Sequence, residues 1–391
     1  MRSELNRNVP PAGPTEFAPL VYGDRLRIDP PVVLAPMAGV TNAPFRTLCR
    51  ELAGGGGLFI SEMITARSFA LGNTKTRHLA SFSDAEKVRS IQLYGTHPSS
   101  LTAATQVLVD EWGIDHIDLN FGCPVRKVTS RGGGSALPAR PRLLASLIRA
   151  VVGRSRSVPV TVKLRKGIDD GLLTYLEAGR VAQEEGCAAV ALHGRTAADL
   201  YSGEADWAAI GELKAALDVP VLGNGDIFEA WDALRMMRTT GCDGVLVGRG
   251  CLGRPWLFRE LADVFAGREP AAPPNLGQIA DIVRRHAELL VDFFGETIAM
   301  QHMRKFISWY TKSFPGTGTI RERLQHISTT SDLEELLRDL PADLPFPEAG
   351  LRVKRCKAGS PQRVSLPDGF LDDTQDARPL FPDPLECADG G

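Results

Sequence analysis

What this chain lacks narrows the field first. None of its apolar runs approaches the ~20 residues needed to span a bilayer. Residues 1–10 carry Arg2, Glu4, Asn6 and Arg7 with no apolar segment behind them, unlike a secretory signal. The expectation is a cytoplasmic protein with no membrane contact. Seven cysteines (Cys49, Cys123, Cys187, Cys242, Cys251, Cys356 and Cys387) are an odd number, form no C-x-x-C pair and have no histidine pair nearby. That argues against a metal site and against a disulfide framework. Basic charge is not in excess either: the formal net charge is −2. A strongly basic nucleic-acid binder is therefore excluded, and any RNA contact has to come from a local patch.

What is present is an ordinary globular composition, 43% hydrophobic and 24% charged over 391 residues. That length fits two domains or one large α/β barrel with additions. Residues 1–29 are rich in proline and polar residues and read as an arm ending in a short strand near Leu26–Ile28. From Pro31 onward, β-branched apolar runs recur: Val32–Ala35, Leu58–Ile60, Ser90–Leu93, Ile117–Leu119, Val160–Leu164, Ala189–Leu192, Val219–Leu222 and Val245–Val247. Amphipathic stretches separate them, such as Leu101–Trp112, Arg142–Val152, Leu172–Glu185, Trp207–Leu217 and Ala230–Arg238. Eight strands alternating with helices in ~220 residues predict a closed (β/α)8 TIM barrel over 30–266. Beyond Pro273, helical periodicity over Asn275–Phe294, Thr297–Tyr310 and Ser331–Leu340 predicts a small C-terminal helical domain, 275–340. Residues 341–391 are rich in Pro, Gly and Asp and read as a disordered tail with a basic cluster at Arg352, Lys354, Arg355, Lys357 and Arg363.

The working face of such a barrel is the carboxyl end of its strands. There the sequence places Pro36-Met37-Ala38, Glu62, Gln92, Asn120 with Cys123, Lys163 with Arg165, His193, Asn224-Gly225-Asp226 and Gly248-Arg249. A barrel interior filled by branched apolar side chains has no need of these groups, so they point to a ligand site. In Asn120-Phe121-Gly122-Cys123-Pro124, glycine lets the chain turn and proline sets its exit, which would hold the Cys123 thiol on a rigid corner. The alternative is a small buried hydrophobe. The glycine turns after the seventh and eighth strands suit a phosphate, or are simply tight turns. Gly248-Arg249-Gly250-Cys251-Leu252-Gly253 also fits G-x-G-x-x-G, but it closes the series of βα units rather than opening one. Lys163 reads as a Schiff-base lysine, as a fixed cation beside an anionic cofactor, or as an ion-pair partner of Glu62.

Taken in order, these pieces resemble the tRNA-dihydrouridine synthase family. The likeness rests on Pro36–Thr41, Phe45-Arg46, Ser61–Met63, Gln92, Asn120–Pro124 with Lys127-Val128 and Gly134–Leu137, Val162–Arg165, His193–Thr196, Gly223–Ile227, and Gly248–Gly250 with Arg254–Trp256. Arg304-Lys305 and Ser308–Tyr310 resemble the RNA-binding end of that family. Asn42 and Phe121 depart from its commonest residues. The resemblance implies an FMN enzyme that reduces the C5–C6 bond of a tRNA uridine with electrons from NADPH. It implies flavin contacts from Pro36, Met37, Ala38, Gln92 and Lys163, and phosphate contacts from Asn224, Gly225, Asp226, Gly248 and Arg249, with His193 and Arg165 on the ribityl-phosphate side. Cys123 would be the proton donor. Asn120, Arg126, Lys127, Arg304 and Lys305 would meet substrate, with Arg131, Arg284, Arg285 and Lys312 as further phosphate contacts. A monomer is expected. The competing readings are a barrel flavoenzyme of a free pyrimidine, like a dihydroorotate dehydrogenase, a Schiff-base phosphosugar lyase, and a non-enzymatic RNA-binding protein.

Overall fold

The computed structural model describes residues 1–324, 326–356 and 359–382; Lys357 and Cys387 lie outside the described residues. Eight parallel strands close into a barrel. In chain order they are β1 (Val32–Leu34), β2 (Leu58–Thr65), β3 (Ser90–Tyr94), β4 (His116–Phe121), β5 (Val160–Arg165), β6 (Ala189–His193), β7 (Val221–Asn224) and β8 (Gly244–Val247). Each pairs with the next, and β8 closes on β1 through Leu246 opposite Val33. Every one overlaps a run read from the sequence, the seventh starting two residues later than expected, because inward and outward side chains alternate along buried strands.

Two boundaries differ from expectation. Leu172–Leu173 is not helical but pairs with Gly167–Asp169, closed by a turn in which Asp169 Oδ1 accepts from the Gly171 backbone N–H at 3.0 Å; the helix begins at Tyr175. The arm also supplies two strands rather than one, with Leu20–Tyr22 antiparallel to Leu26–Ile28. Their buried residues pack against Val33, Leu58, Ala189, Leu222 and Leu246 in a cluster of their own, which closes the amino end of the barrel.

Of the two residues unusual for the resemblance, Asn42 caps the helix Ala43–Ala53 by accepting from the Phe45 N–H at 3.1 Å. Aspartate does the same work at an N-cap, so the exchange is neutral. Phe121 is buried in the main core between barrel and helices. Arg46, on the same helix, forms a two-pronged pair with Glu86, both fully buried, and donates to the Thr41 carbonyl at 2.8 Å. That pins the turn running from Pro36 to Thr41.

After the barrel come helices Leu276–Phe294, Glu296–Tyr310, Gly318–Leu324 and Thr330–Arg338, of which the third was not foreseen. The first two lie against Ala43–Ala53: the Phe45 and Phe306 rings stack 6.0 Å apart and His286 sits 4.4 Å from Phe306. Among the described residues, no helix is long and apolar enough to cross a membrane.

The segment expected to be a disordered tail departs most. From Pro341 to Pro382 its described residues hold only one short helical turn, Glu348–Gly350, yet it is bound to the barrel rim as a strap. Arg352 pairs with Glu229 and Asp232. The Gln362 N–H donates to Ala198 O at 2.9 Å. Phe370 is buried with Ala136 and Ala139 beneath the Arg140 guanidinium, Arg140 donates to Asp376 O at 2.8 Å, and the His97 ring meets Phe381 O at 2.6 Å. Composition hid this because the anchors Phe346, Leu351 and Phe370 are scattered among polar residues and make no periodic pattern.

Burying a phenylalanine ring contributes about 1.5–3 kcal/mol, so its loss should raise the detached population of the strap by roughly 10- to 100-fold. Phe370→Ala is therefore expected to speed tryptic cleavage after the exposed Arg363, with melting of the barrel unchanged. Cleavage at the original rate would show that other contacts hold the strap.

Candidate active site

The strand ends surround a cavity of about 510 Å³. Pro36, Met37, Ala38, Gln92, Asn120, Cys123, Lys163, Arg165, His193, Asn224, Gly225, Asp226, Gly248 and Arg249 all line it. Four other expected site residues do not. Arg126 and Lys127 are exposed on the short helix Arg126–Thr129, just past the Cys123 turn. The Arg304 guanidinium donates to Ile327 O at 3.0 and 2.8 Å, and Lys305 Nζ donates to Gly39 O at 2.8 Å. The other cations suggested for RNA are engaged as well, except Arg131, which is exposed: Arg284 pairs with Asp281 and Glu334, Arg285 with Glu51 and Glu288, and Lys312 donates to Lys354 O.

Cys123 stands two residues beyond β4. Its backbone N–H donates to Asn120 Oδ1 at 2.9 Å, and its carbonyl accepts from Ser135 N at 3.1 Å. Gly134, at φ +56°, lies so close that a Cβ there would fall 2.5 Å from Cys123 O, so the corner demands glycine. Burial raises the thiol above its ordinary pKa, against the opposing pull of the Val125 N–H and of the Arg165 and Lys163 cations. The sulfur is thus a protonated thiol at neutral pH.

Lys163 lies beside Asn120 in the β4–β5 register. Burial, helped by Arg165, lowers its pKa to about 8, while Asp118 and Cys123 act to raise it. The ammonium form therefore predominates at neutral pH. His193 is pushed well below its usual value, first by burial and then by Arg165, Lys163, Arg195 and Arg249, so its ring is neutral.

Arg165 lines the cavity, but its guanidinium donates to Gly122 O, Thr196 O and Leu200 O at 3.0, 2.7 and 2.8 Å. It braces the Cys123 corner against the β6 loop. The Asp226 carboxylate is likewise occupied, by Arg195 at 2.9 and 2.8 Å and by the Ala205 N–H at 2.7 Å. What Asp226 offers a ligand is its backbone, held at φ +57° beside Gly225 at φ +123°. A Cβ on Gly225 would lie 2.5 Å from Ala205 Cβ, so this turn too admits only glycine. Asn224 Nδ2 donates to Leu246 O at 2.8 Å.

Arg249 differs from the other two cavity cations. Its guanidinium lies 4.2 Å over the Tyr201 ring, and its Nη1 is buried without a hydrogen-bond partner. An orphaned cationic donor beside glycine turns, in a hollow lined by Lys163 and Arg165, fits an anion such as a phosphate. Tyr201, Trp309 and Cys356 also line the cavity and were not assigned to it from the sequence. Tyr201 lies in an irregular loop and Cys356 in the strap, where no strand ending marks a position as facing the mouth. Among the described residues, no group of three or more His, Cys, Asp or Glu side chains could hold a metal ion.

Known proteins resemble this chain over most of its length. The dihydrouridine synthase (Dus) family model matches residues 33–344. A probable tRNA-dihydrouridine synthase of Mycobacterium tuberculosis is 51% identical over 366 residues, 90% of this chain and 94% of its own. The tRNA-dihydrouridine synthase B of Xanthomonas axonopodis pv. citri is 40% identical over 312 residues, covering 80% and 93%. Among solved structures, a histamine dehydrogenase from Rhizobium sp. 4-9 superposes with a TM-score of 0.48 at 15% identity, over 70% of this chain and 50% of that one. The match to the family model over the whole barrel removes the free-pyrimidine, lyase and non-enzymatic readings, and the chain belongs to the tRNA-dihydrouridine synthases, flavin oxidoreductases that reduce uridines in tRNA.

Proposed function

We propose that the flavin is FMN, with its phosphate at the Gly225–Asp226 and Gly248–Arg249 turns, and that Cys123 donates the proton completing 5,6-dihydrouridine. The observation that carries this reading is that the orphaned Arg249 donor and the protonated Cys123 thiol line the same cavity. Pro36, Met37, Ala38, Gln92 and Lys163 would hold the ring. Asn224, Gly225, Asp226, Gly248 and Arg249 would hold the phosphate, with neutral His193 beside them and Arg165 bracing the wall. FMN, when bound and reduced by NADPH, supplies the hydride for C6 of the base.

Lys163 places a fixed, partly buried ammonium in the cavity, so it can stabilise negative charge on a bound ring at little reorganisation cost. Charge left at C5 of the uracil needs a proton, and the Cys123 Sγ–H stands at the rim to give it. The resulting thiolate would be stabilised by the Val125 N–H and by the Arg165 and Lys163 cations, the groups that already oppose its raised pKa. The carboxamide of Asn120, at the foot of the Cys123 turn, is available to orient the base.

A base inside folded RNA must be extruded at a cost of a few kcal/mol. Arg126, Lys127 and Arg131 are exposed beside the Cys123 corner and can offset this through phosphate contacts. Arg304 and Lys305 would contribute from behind, by positioning the helical segment: Lys305 ties it to Gly39, whose N–H donates to Glu62 at 2.8 Å.

Cys123→Ala should retain FMN and NADPH-driven bleaching of the flavin while losing dihydrouridine, read by mass spectrometry of digested tRNA; normal product formation would remove Cys123 as the acid. Arg249→Ala forfeits a charge-assisted hydrogen bond of about 1.5–3 kcal/mol, so FMN should bind roughly 10- to 100-fold more weakly by fluorescence titration. An unchanged affinity would place the phosphate elsewhere. Because burial raises the thiol, Cys123 in flavin-free protein should be carbamidomethylated with a midpoint above the ordinary thiol value of about 8.5, and a midpoint near neutrality would mark a nucleophile instead.

A further inference from the structure

Beneath the cavity, on the inward faces of β3, β4 and β5, lie four polar side chains with no part in the chemistry above: Ser90, His116, Asp118 and Thr161, all buried. Together with Gln92 and Asn120 they form one unbroken hydrogen-bonded chain. From the rim downward, the Cys123 N–H donates to Asn120 Oδ1 at 2.9 Å and the Gly122 N–H joins at 3.3 Å. Asn120 Nδ2 donates to Gln92 Oε1 at 2.7 Å, and Gln92 Nε2 donates to Asp118 Oδ2 at 2.7 Å. From the other side, Thr161 Oγ1 donates to Asp118 Oδ1 at 2.6 Å. The His116 ring bridges Thr161 Oγ1 at 2.9 Å and Ser90 Oγ at 2.7 Å.

The direction of the upper arm is forced. A backbone N–H only donates, so Asn120 must turn its oxygen to the Cys123 corner and its nitrogen to Gln92. Gln92 must then accept with Oε1 and give with Nε2. A run of donors needs an acceptor oxygen at its foot, and the Asp118 carboxylate supplies one to Gln92.

We propose that Asp118 is a positioning residue for the reaction: by accepting from Gln92 it fixes which way the Gln92–Asn120 amide pair faces, and through that pair it holds the Cys123 turn. Were Asn120 reversed, its NH2 would confront the N–H groups of Gly122 and Cys123, and the turn would open. The fixed polarity also leaves the second hydrogens of both amide nitrogens for a ligand, so the cavity floor offers donors to an acceptor-bearing ring edge.

The lower arm lets this arrangement survive protonation. Burial raises Asp118 to about 6, opposed by the Thr161 and Gln92 hydrogen bonds and by Lys163 above it. Tyr22 and Cys187 also feel its charge, and burial keeps His116 neutral, lowered to about 3. A proton on Oδ1 is absorbed when Thr161, His116 and Ser90 reverse, since hydroxyls and a neutral imidazole both give and take. The Gln92 bond to Oδ2 is untouched.

The activity readout rests on Cys123 as the acid; the thiol readout does not. Asp118→Asn keeps an oxygen for Gln92 while its nitrogen turns to Thr161, so kcat on tRNA should stay within about threefold and Cys123 carbamidomethylation in flavin-free protein should be unchanged. Asp118→Leu removes the acceptor. It should lower kcat at least about tenfold with KM for tRNA within about threefold, and speed Cys123 alkylation at least about fivefold relative to half-exposed Cys356. Wild-type Cys123 reactivity in Asp118→Leu overturns the proposal, and so does an Asp118→Asn enzyme as damaged as the leucine variant. Should the leucine variant not fold, Asp118→Asn alone decides by the same two readouts. Faster alkylation in Asp118→Leu together with full activity in Cys123→Ala would instead sink the acid assignment and leave the positioning role standing.

Discussion

Lys163, Arg165 and Arg249 converge on one hollow, and bringing three cations together in a partly buried site is costly unless each is answered. Each is answered differently. Arg165 is satisfied by three backbone carbonyls and becomes part of the wall. Lys163 has the Asp118 carboxylate below it and loses part of its proton affinity. Among the described residues, Arg249 meets the face of Tyr201 and keeps an unpaired donor. The carboxylate that lines the cavity, Asp226, is already bound by Arg195, so a ligand anion is what balances the site. Any ligand that does so favours the folded state by mass action as well as filling the cavity.

The barrel was readable because buried strands betray themselves by alternation, and strand endings mark which residues face the mouth. Fourteen expected residues meet at one cavity for that reason. A strand ending says where a side chain starts, however, and not what its far end meets. Hence Arg165 and Asp226 line the cavity while their charged groups serve the scaffold. Arg304 and Lys305 show the same limit on a helix, where charge suggested RNA and the long side chains reach backbone carbonyls instead.

Two features had no legible signal. His116 and Asp118 alternate with Ile117 and Leu119, so β4 has the outline of any half-apolar strand, whereas its inward face carries the polar row. That row is tolerable because every member has a partner and because the hairpin of the arm seals the barrel's amino end, with Tyr22 5.6 Å from His116. Leu172–Leu173 failed differently: apolar residues that continue a helical pattern were taken by a short hairpin whose Asp169 turn precedes them.

The strap along the rim has a mechanical meaning. It is fastened at Glu229 and Asp232, at Ala198, at Arg140 and at His97, crossing in front of the loop that bears the thiol. Residues 132–140 cannot swing outward without carrying it along, so loop and strap behave as a door frame rather than a door. A base bound for this cavity has to arrive unstacked, since one held inside folded RNA is out of reach of it. The work of separating that base from its neighbours therefore belongs to the contacts made outside the threshold.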